Sequence, residues 1–261
     1  MAIVDALVSA GGRDQPGDPL YPLTQGRPKA MLDIAGKPMV QWILDALANA
    51  PRIGRVMLVG LDSADGLTCG TKPLDVIPDA GGMVDNVKTG TKRMRELNPA
   101  VTHGVWVGAD IPTLRAEHVN WLVDTCLQSD DDVYYTVIEQ ATMLACFPES
   151  RRSYTRLKDR VVCGGDCHLF AMRMMADVHP LWDQITTSRK NVFKQAALVG
   201  IEPFWLLLTQ QLTLARAEQL AQKKLHLRAR AIVSPHAEMG MDVDKPFQYE
   251  MVARHLKNFR L

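Results

Sequence analysis

The sequence predicts an α/β domain built on a mixed, mainly parallel sheet, and three observations support this prediction. The chain opens with an apolar run over residues 2–10 that ends at Gly11-Gly12, as a strand buried on both faces does. An amphipathic helical pattern follows from Pro38, and a second buried strand follows over residues 55–60. Strand, helix and strand in this spacing form a βαβ unit, whose right-handed crossover implies parallel strands.

The same alternation continues along the chain. Strands are predicted over residues 74–77, 104–108 and 132–139, and the helices between them over residues 84–97 and 116–127. The regularity is lost over residues 140–171, where short β-prone pieces predict a small β-rich excursion within the domain. Helical patterns return over residues 173–197 and 214–224, and residues 228–233 form a last strand candidate. We therefore expect one three-layer domain with helices on both faces of the sheet.

Composition and charge exclude several classes of protein. The 261 residues carry 30 Lys and Arg against 29 Asp and Glu, whereas a polyanion-binding domain usually has a clustered basic excess, so nucleic acid is not expected as a partner. The five cysteines form no even framework, which favours a reducing, cytoplasmic compartment. No stretch reaches the ~18 apolar residues that span a bilayer, and no signal sequence is recognised, so we expect neither a membrane span nor export.

The first candidate site follows the first strand. Gly11 and Gly12 lack a Cβ, so their backbone amides can approach a phosphate closely, although a glycine pair is more often a plain turn. Lys29, in a Pro-Lys pair shortly afterwards, can neutralise phosphate charge. The chain has neither a Walker lysine motif nor a G-x-G-x-x-G pattern, which disfavours ATPases and dinucleotide-dependent dehydrogenases.

Taken together, residues 10–39 resemble the signature of the nucleotidyltransferase superfamily that includes sugar-1-phosphate nucleotidyltransferases and molybdenum-cofactor nucleotidyltransferases. The matching parts are A-G-G at 10–12, P-L-T at 22–24, P-K-A-M-L at 28–32 and A-G-K-P-M at 35–39. The resemblance implies that the glycine loop and the Pro-Lys lysine hold a nucleoside triphosphate. It assigns this role to Ala10, Gly11, Gly12 and Lys29.

The loop departs from the family pattern before the P-L-T segment. The usual loop carries a second glycine and an arginine there, whereas this chain has a longer insertion over residues 13–19. Arg13 and Arg27 are the two candidates for the missing arginine.

Two acidic residues resemble the family's metal ligands. Asp110 follows the strand over residues 104–108, and open parallel sheets place their ligands at the carboxyl ends of strands. Without the resemblance it would be a capping or turn residue. The run D-V-D-K-P at 242–246 resembles the segment in which related transferases supply a second carboxylate. Its position before the proline favours Asp244, with Asp242 as a helix cap. Two such carboxylates can hold Mg²⁺ against triphosphate oxygens.

The turn G-G-M-V-D-N at 81–86 begins a predicted helix. In the superfamily this region commonly helps to recognise the base, so the resemblance assigns Gly82 and Asn86 to nucleotide binding. An ordinary helix N-cap by Asp or Asn is the equal alternative.

The acceptor side is expected further along the chain. Residues 154–166 resemble a strand-turn-strand and Gly-Gly-Asn element of some members, which assigns Gly165 and Asp166 to the acceptor, with Asp166 in place of Asn. Arg189 and Lys190 form a basic cluster at a predicted helix start, which suits either an acceptor phosphate or solvent. Cys163, Cys167 and His168 lack the second ligand pair of a closed zinc site.

The resemblance implies a single Rossmann-like nucleotidyltransferase domain over residues 1–261. Its nucleotide-binding part spans about residues 1–140, its acceptor-side part about 141–237 and a closing metal-ligand segment about 238–261. The implied reaction transfers a nucleoside monophosphate from a nucleoside triphosphate to a phosphorylated acceptor, a sugar phosphate or similar, with Mg²⁺ as cofactor and pyrophosphate as product.

Two other functions are also compatible with the sequence. A glycosyltransferase of related fold is one, because D-V-D at 242–244 mimics an Asp-x-Asp motif. A nucleotide-sensing module that binds without turnover is the other. Methionines and tryptophans over residues 172–205 predict an acceptor pocket, a homodimer contact or core packing. They are Met172, Met174, Met175, Trp182 and Trp205.

Overall fold

A computed structural model describes residues 3–64, 66–175 and 201–258. In chain order, the described strands are β1 (Val4–Ser9), β2 (Asp33–Ile34), β3 (Lys37–Pro38), β4 (Ile53–Val59), β5 (Leu74–Ile77), β6 (His103–Gly108), β7 (Val133–Glu139), β8 (Thr155–Arg156), β9 (Val161–Gly164), β10 (Cys167–Ala171) and β11 (Ala229–Ser234). The described helices are α1 (Tyr21–Thr24), α2 (Met39–Ala48), α3 (Met83–Leu97), α4 (Ala116–Cys126), α5 (Gln140–Cys146), α6 (Ile201–Leu208), α7 (Leu214–Leu225) and α8 (Pro246–Asn258). None of these helices is both long and apolar enough to cross a bilayer.

Nine of these strands form one mixed sheet. Its order is β5-β4-β1-β6-β10-β7-β9-β8, with β11 beside β7, while β2 and β3 form a separate two-stranded ribbon. β1 is central and pairs in parallel with β4 and β6, so that Ser9 lies opposite both Val59 and Gly108. The predicted parallel sheet is therefore confirmed, and the carboxyl ends of β1, β4 and β6 lie together at one edge.

Helices cover the sheet on both faces. On one face α2 buries its apolar stripe completely, as the helical spacing of Val40, Ile43, Leu44 and Leu47 predicts. On the other face α3 lies close to β1, because a Cβ at Gly90 would lie only 2.2 Å from Leu7 Cδ1. The glycine therefore lets the middle of α3 pack closely on β1.

The segment predicted as a β-rich excursion is built into the main sheet. β10 runs antiparallel between β6 and β7, and β9 pairs antiparallel with β7. The segment also begins with α5, which the sequence analysis did not predict because seven residues show too little periodicity. Of the helix predicted over residues 173–197, the described part is a 3₁₀ turn at Met172–Met175, and the remainder lies outside the described residues.

Candidate active site

A cleft of about 430 Å³ opens at the carboxyl edge of β1 and β6. Most of the predicted nucleotide residues line it, together with side chains from β6 and from the loop before β10. The lining residues are Ser9, Gly11, Gly12, Asp79, Gly81, Gly82, Met83, Asn86, Trp106, Gly108, Asp110, Asp166 and His168. Segments far apart in sequence thus meet at the edge where open parallel sheets bind ligands.

Gly60, which follows β4, lets the backbone of the glycine loop after β1 approach closely. The sequence analysis did not predict this role. Gly60, after β4, has φ +106°, and a Cβ there would lie 2.2 Å from the Gly11 nitrogen. A Cβ at Gly11 would in turn lie 2.8 Å from Asn86 Nδ2. Within the described ranges no hydrogen bond uses the amides of Gly11 or Gly12, which leaves both available to an anion.

Neither candidate for the family's loop arginine lines the cleft. Arg13 pairs with Asp62 at 3.3 Å on the surface. Arg27 turns back onto α1 and donates to the carbonyl oxygen of Thr24 at 3.1 Å, so its guanidinium caps a helix end. The insertion over residues 13–19 therefore brings no guanidinium to the cleft lining.

Lys29 joins the two predicted metal ligands. Its Nζ donates to Asp110 Oδ2 at 2.9 Å and also to Asp244 Oδ1. The amide of Val243 donates to the carbonyl oxygen of Asp110 at 2.9 Å, which holds the two acidic segments together. Burial alone would lower the pKa of Lys29, but the two carboxylates outweigh it and raise that pKa. Lys29 lowers the pKa of Asp244 in spite of the opposing effect of burial.

A second cation, Arg152, was missed by the sequence analysis. It donates to Asp242 Oδ1 and to the carbonyl oxygen of Gly164 at 3.3 Å, and it lies 3.8 Å from Asp166 Oδ2. Asp242 therefore pairs with an arginine instead of capping α8, and Asp242 and Asp244 face different cations. Arg152 follows Arg151 in an irregular segment, and nothing in the sequence distinguishes the two arginines or indicates this contact.

Asp166 is an acidic residue in an unfavourable environment. Burial, and then the charges of Asp110 and Asp242, raise its pKa to about 7. Its neighbour Gly165 does not line the cleft, because its amide donates to the carbonyl oxygen of Thr136 at 2.9 Å beside β7. Arg189 and Lys190 lie outside the described residues.

Two aromatic side chains, Trp106 and His168, line the cleft beside Asp166. The centroid of the His168 ring lies 5.7 Å from that of Trp106 and 4.5 Å from that of Tyr135, on which it stacks. The three rings belong to neighbouring strands. Burial lowers the pKa of His168 to about 4, so the ring is neutral near pH 7. Its Nδ1 accepts the amide of Thr136 at 3.1 Å, which fixes the ring.

At the other end of the cleft, Asn86 supports a loop. It is only 4% exposed, and its amide donates to Asp79 Oδ1 at 2.8 Å and accepts the Ala80 amide at 2.7 Å. The N-cap of α3 is Gly82, and no side chain caps that position, so the alternative of an Asp or Asn N-cap is wrong.

One further cluster has metal-binding residue types. Ligand atoms of His118, His236 and Glu238 all lie within 4.8 Å of one another. However, His118 Nδ1 accepts the Arg115 amide at 3.2 Å, so the proton is on Nε2, and Arg115 already pairs with Glu238 at 3.2 Å. These contacts are those of a buried ion-pair cluster, because the proton on His118 Nε2 leaves that nitrogen unable to bind a metal ion. The carboxylate oxygens at the cleft have no such restriction.

The sequence is similar to known proteins. The sequence matches the family described as the MobA-like NTP transferase domain over residues 23–238. It is 41% identical to the bifunctional protein GlmU of Methanococcus maripaludis over 46 residues, which are 18% of this chain and only 10% of that protein.

Solved structures share the fold over nearly the whole chain. A hypothetical transferase from Thermus thermophilus is 28% identical, with a TM-score of 0.81 over 95% of this chain and 99% of that one. A CMP:2-keto-3-deoxy-manno-octonic acid synthetase complexed with CTP is 14% identical, with a TM-score of 0.58 over 99% and 100% of the two chains, and shows likeness of fold alone. Because the family match covers most of the sequence, this chain belongs to the MobA-like NTP transferase family, a family of nucleotidyltransferase enzymes.

Proposed function

We propose that the protein transfers a nucleoside monophosphate from a nucleoside triphosphate to a phosphorylated small-molecule acceptor and releases pyrophosphate. The observation that carries this proposal is the meeting of Lys29, Asp110 and Asp244 beside the glycine loop. Free loop amides and a lysine suit the phosphates, and paired carboxylates suit a cation that the phosphates share.

The donor set fits a divalent metal ion. Asp110 and Asp244 already share one cation, the ammonium group of Lys29, and both offer only oxygen atoms. A hard cation such as Mg²⁺ prefers oxygen ligands and retains waters that triphosphate oxygens replace. Bound there, Mg²⁺ would neutralise charge on the phosphates.

The residues of the chain would then position the reaction. Lys29 and the amides of Gly11 and Gly12 hold the triphosphate so that its α-phosphorus faces the acceptor. A phosphate oxygen of the acceptor forms the new bond to that phosphorus, and the bond to the β-phosphate oxygen breaks as pyrophosphate leaves. No general base is needed, because a phosphate monoester is already anionic at neutral pH.

We assign the nucleotide-binding part to about residues 1–140, the acceptor-side part to about residues 141–237 and the closing metal-ligand segment to about residues 238–261. Asp166 lines the cleft beside Trp106 and His168. This lining suits an acceptor with a hydroxylated ring. The face of the ring would pack on the aromatic side chains, and its hydroxyl groups would donate to the carboxylate. Gly165 supports the turn that presents Asp166. We propose that Arg189 and Lys190 contact the acceptor phosphate.

The apolar residues after β10 divide into two groups. Met172 and Met174 are buried in the core, whereas Trp205 on α6 is 57% exposed. Trp182 lies outside the described residues. We propose that the exposed face of α6 contacts a second copy of the chain in a homodimer.

Pyrophosphate release tests the reaction directly. Purified protein would be incubated with each common nucleoside triphosphate and a panel of sugar phosphates, with Mg²⁺ or with EDTA. Release that requires one triphosphate, one acceptor and Mg²⁺ supports the proposal, and Asp110→Asn should reduce it by roughly 10²–10³-fold. Turnover of a nucleotide-sugar instead would indicate a glycosyltransferase. Nucleotide binding without turnover for every acceptor would indicate a sensing module.

A further inference from the structure

We infer that the phosphorylated acceptor carries an apolar substituent, and that this substituent occupies a second groove of the molecule, between α7 and the sheet. This inference rests on the proposed function, because it names the class of acceptor that the cleft takes.

The groove has a volume of about 490 Å³, within the range of small-molecule sites, ~300–1,000 Å³. Val133, Tyr135 and Val137 line it from β7, because alternate residues of a strand point to the same face. Tyr135 is 47% exposed, although other strands pair with β7 along both of its edges. The described elements therefore leave this part of the sheet face uncovered.

The opposite wall of the groove is the apolar stripe of α7. Its members follow the spacing of one helical face, and they are Leu214, Ala217, Ala221 and Leu225. A stripe of this kind normally packs on a core. Nevertheless, none of the twelve described residues of α7 is fully buried. The helix thus presents apolar side chains to a space that the described part of the chain does not fill.

Two charged residues line the groove, and both have partners within the protein. Glu218 Oε1 accepts the amide of Ala231 at 2.6 Å, and Arg230 Nε donates to Asp131 Oδ2 at 2.7 Å. Neither residue requires an opposite charge on the occupant. Because aliphatic side chains make up most of the remaining lining, the groove suits an uncharged hydrocarbon group.

Tyr135 joins the groove to the cleft. Its ring stacks on His168, which lines the cleft. Its hydroxyl group lies beside Gly164, where a Cβ would be only 2.7 Å from the Tyr135 oxygen. A tyrosine has an apolar ring and a polar tip, so it suits the boundary between a polar head group and an apolar tail.

The order of the residues then fixes the direction of the acceptor. A Cβ at Gly108 would lie 2.7 Å from Asp110 Oδ1 and 3.5 Å from Asp166 Cβ, so the proposed metal ligand and the proposed acceptor residue are neighbours. Burial, and then the charge of Asp166, raise the pKa of Tyr135, so its hydroxyl group is neutral and can donate. An acceptor with its phosphate at Asp110 and its hydroxyl groups at Asp166 therefore extends past Tyr135 into the groove.

Ala221→Trp is the informative variant. Ala221 is half-buried on α7 and lines the groove, so the new ring enters the groove and not the core. Ala217→Phe fills the same groove one turn earlier and serves if the first variant does not fold. Ala215→Trp is the matched control, because Ala215 is an exposed residue of the same helix that does not line the groove.

Titration calorimetry in Mg²⁺ would compare methyl phosphate, octyl phosphate and octanol on the wild-type protein and the variants. Each methylene group that leaves water for an apolar site strengthens binding by about fourfold. We therefore expect octyl phosphate to bind at least about 10²-fold more tightly than methyl phosphate, and more tightly than octanol. Ala221→Trp should remove most of this advantage, and Ala215→Trp should preserve it. Affinity for tripolyphosphate should be the same in all the proteins.

Three results would overturn the inference: equal affinity for the two phosphates, octanol that binds as tightly as octyl phosphate, or an advantage that survives the filling of the groove. A wild-type dimer that Ala221→Trp dissociates, without any preference for octyl phosphate, would assign the groove to a second copy of the chain and overturn it as well. Octyl phosphate binding as expected, without pyrophosphate release from any triphosphate and acceptor, would overturn the proposed function but leave the groove as the site of the apolar group.

Discussion

Lys29 Nζ lies 2.9 Å from Asp110 Oδ2, although 81 positions separate the two residues in the chain. Asp244 Oδ1 accepts from the same ammonium group. A single lysine thus bridges the two carboxylates proposed to bind the metal ion, and this arrangement predicts two opposite effects of removing it.

Lys29→Met should weaken triphosphate binding by about tenfold or more, because a charge-assisted contact to phosphate is lost. It should also strengthen the binding of Mn²⁺ in the absence of nucleotide, because no internal cation competes for Asp110 and Asp244. Calorimetry would measure the first effect and electron paramagnetic resonance the second. Lys37→Met, which removes a lysine paired with Asp45 outside the cleft, should change neither. Unchanged triphosphate affinity would remove Lys29 from the phosphate site.

Asp110→Asn and Asp244→Asn should each reduce Mg²⁺-dependent turnover by roughly 10²–10³-fold while the fold stays intact. Each variant removes a negative charge from the metal site but keeps the size of the side chain. Pyrophosphate release measures turnover, and circular dichroism checks the fold. Asp45→Asn is the control, since its carboxylate pairs with Lys37 elsewhere. Wild-type turnover in either cleft variant would exclude that residue as a ligand.

Gly60→Ala should lower both stability and triphosphate affinity. The new Cβ would lie 2.2 Å from the Gly11 nitrogen, and the residue has φ +106°, so either the glycine loop or β4 must move. The expected loss of unfolding free energy is about 1–3 kcal/mol. Gly66→Ala separates the two causes, because Gly66 also has positive φ but no atom lies within 4 Å of its Cβ position. If both variants lose affinity equally, contact with Gly11 is not the cause.

Asp166→Asn should stabilise the metal-free protein at pH 8 but not at pH 4. Burial raises the pKa of Asp166 to about 7, above its unfolded value, so the folded state binds more protons than the unfolded state between those values. The carboxyl group therefore reduces stability as pH rises through that range, and the amide does not titrate. A gain of about 2–4 °C in melting temperature is expected at pH 8, measured in EDTA. An equal gain at both pH values would contradict this explanation.

Trp205→Glu should convert a homodimer to a monomer without unfolding the protein. Trp205 is 57% exposed on α6, so a charge there disturbs a contact between copies and not the core. Light scattering measures the mass. A mass that stays the same with lost activity would place this surface in the acceptor pocket, and an unfolded variant would show that Trp205 belongs to the core.

Local sequence patterns explain why several of the predicted site residues lie together. Lys29 and Asp110 lie in short motifs next to predictable strands, so their meeting follows once β1 and β6 are neighbours. Asp79, which lines the cleft, and Arg152, which pairs with Asp242, could not be found in this way, because each lies in an irregular segment. Their positions depend on hydrogen bonds to Asn86 and Asp242, and no sequence period encodes such contacts.

The order of the strands was only partly predictable for a similar reason. The β-prone residues 169–172 predict a strand, which the structure places at β10 (Cys167–Ala171), but they do not indicate its neighbours or direction. For Asn86, the sequence analysis named the residue but did not predict its contacts. It lines the cleft, where the resemblance predicts nucleotide binding, but its amide is used within the protein to hold Asp79.

The reversed direction of β10 has a consequence for how new specificities can arise in this protein. Because β10 runs against β6, its first residue lies at the same edge as the last residues of β6, and Asp166 reaches the cleft from a loop that precedes its strand. The segment 147–166 contains β8, β9 and this loop, and it lies outside the connection from β1 to Lys29, so that exchanging it leaves that connection unaltered. A graft of residues 147–166 from a homologue should therefore transfer the choice of acceptor while the choice of nucleotide stays with the recipient, so that the two halves of the product can be engineered separately.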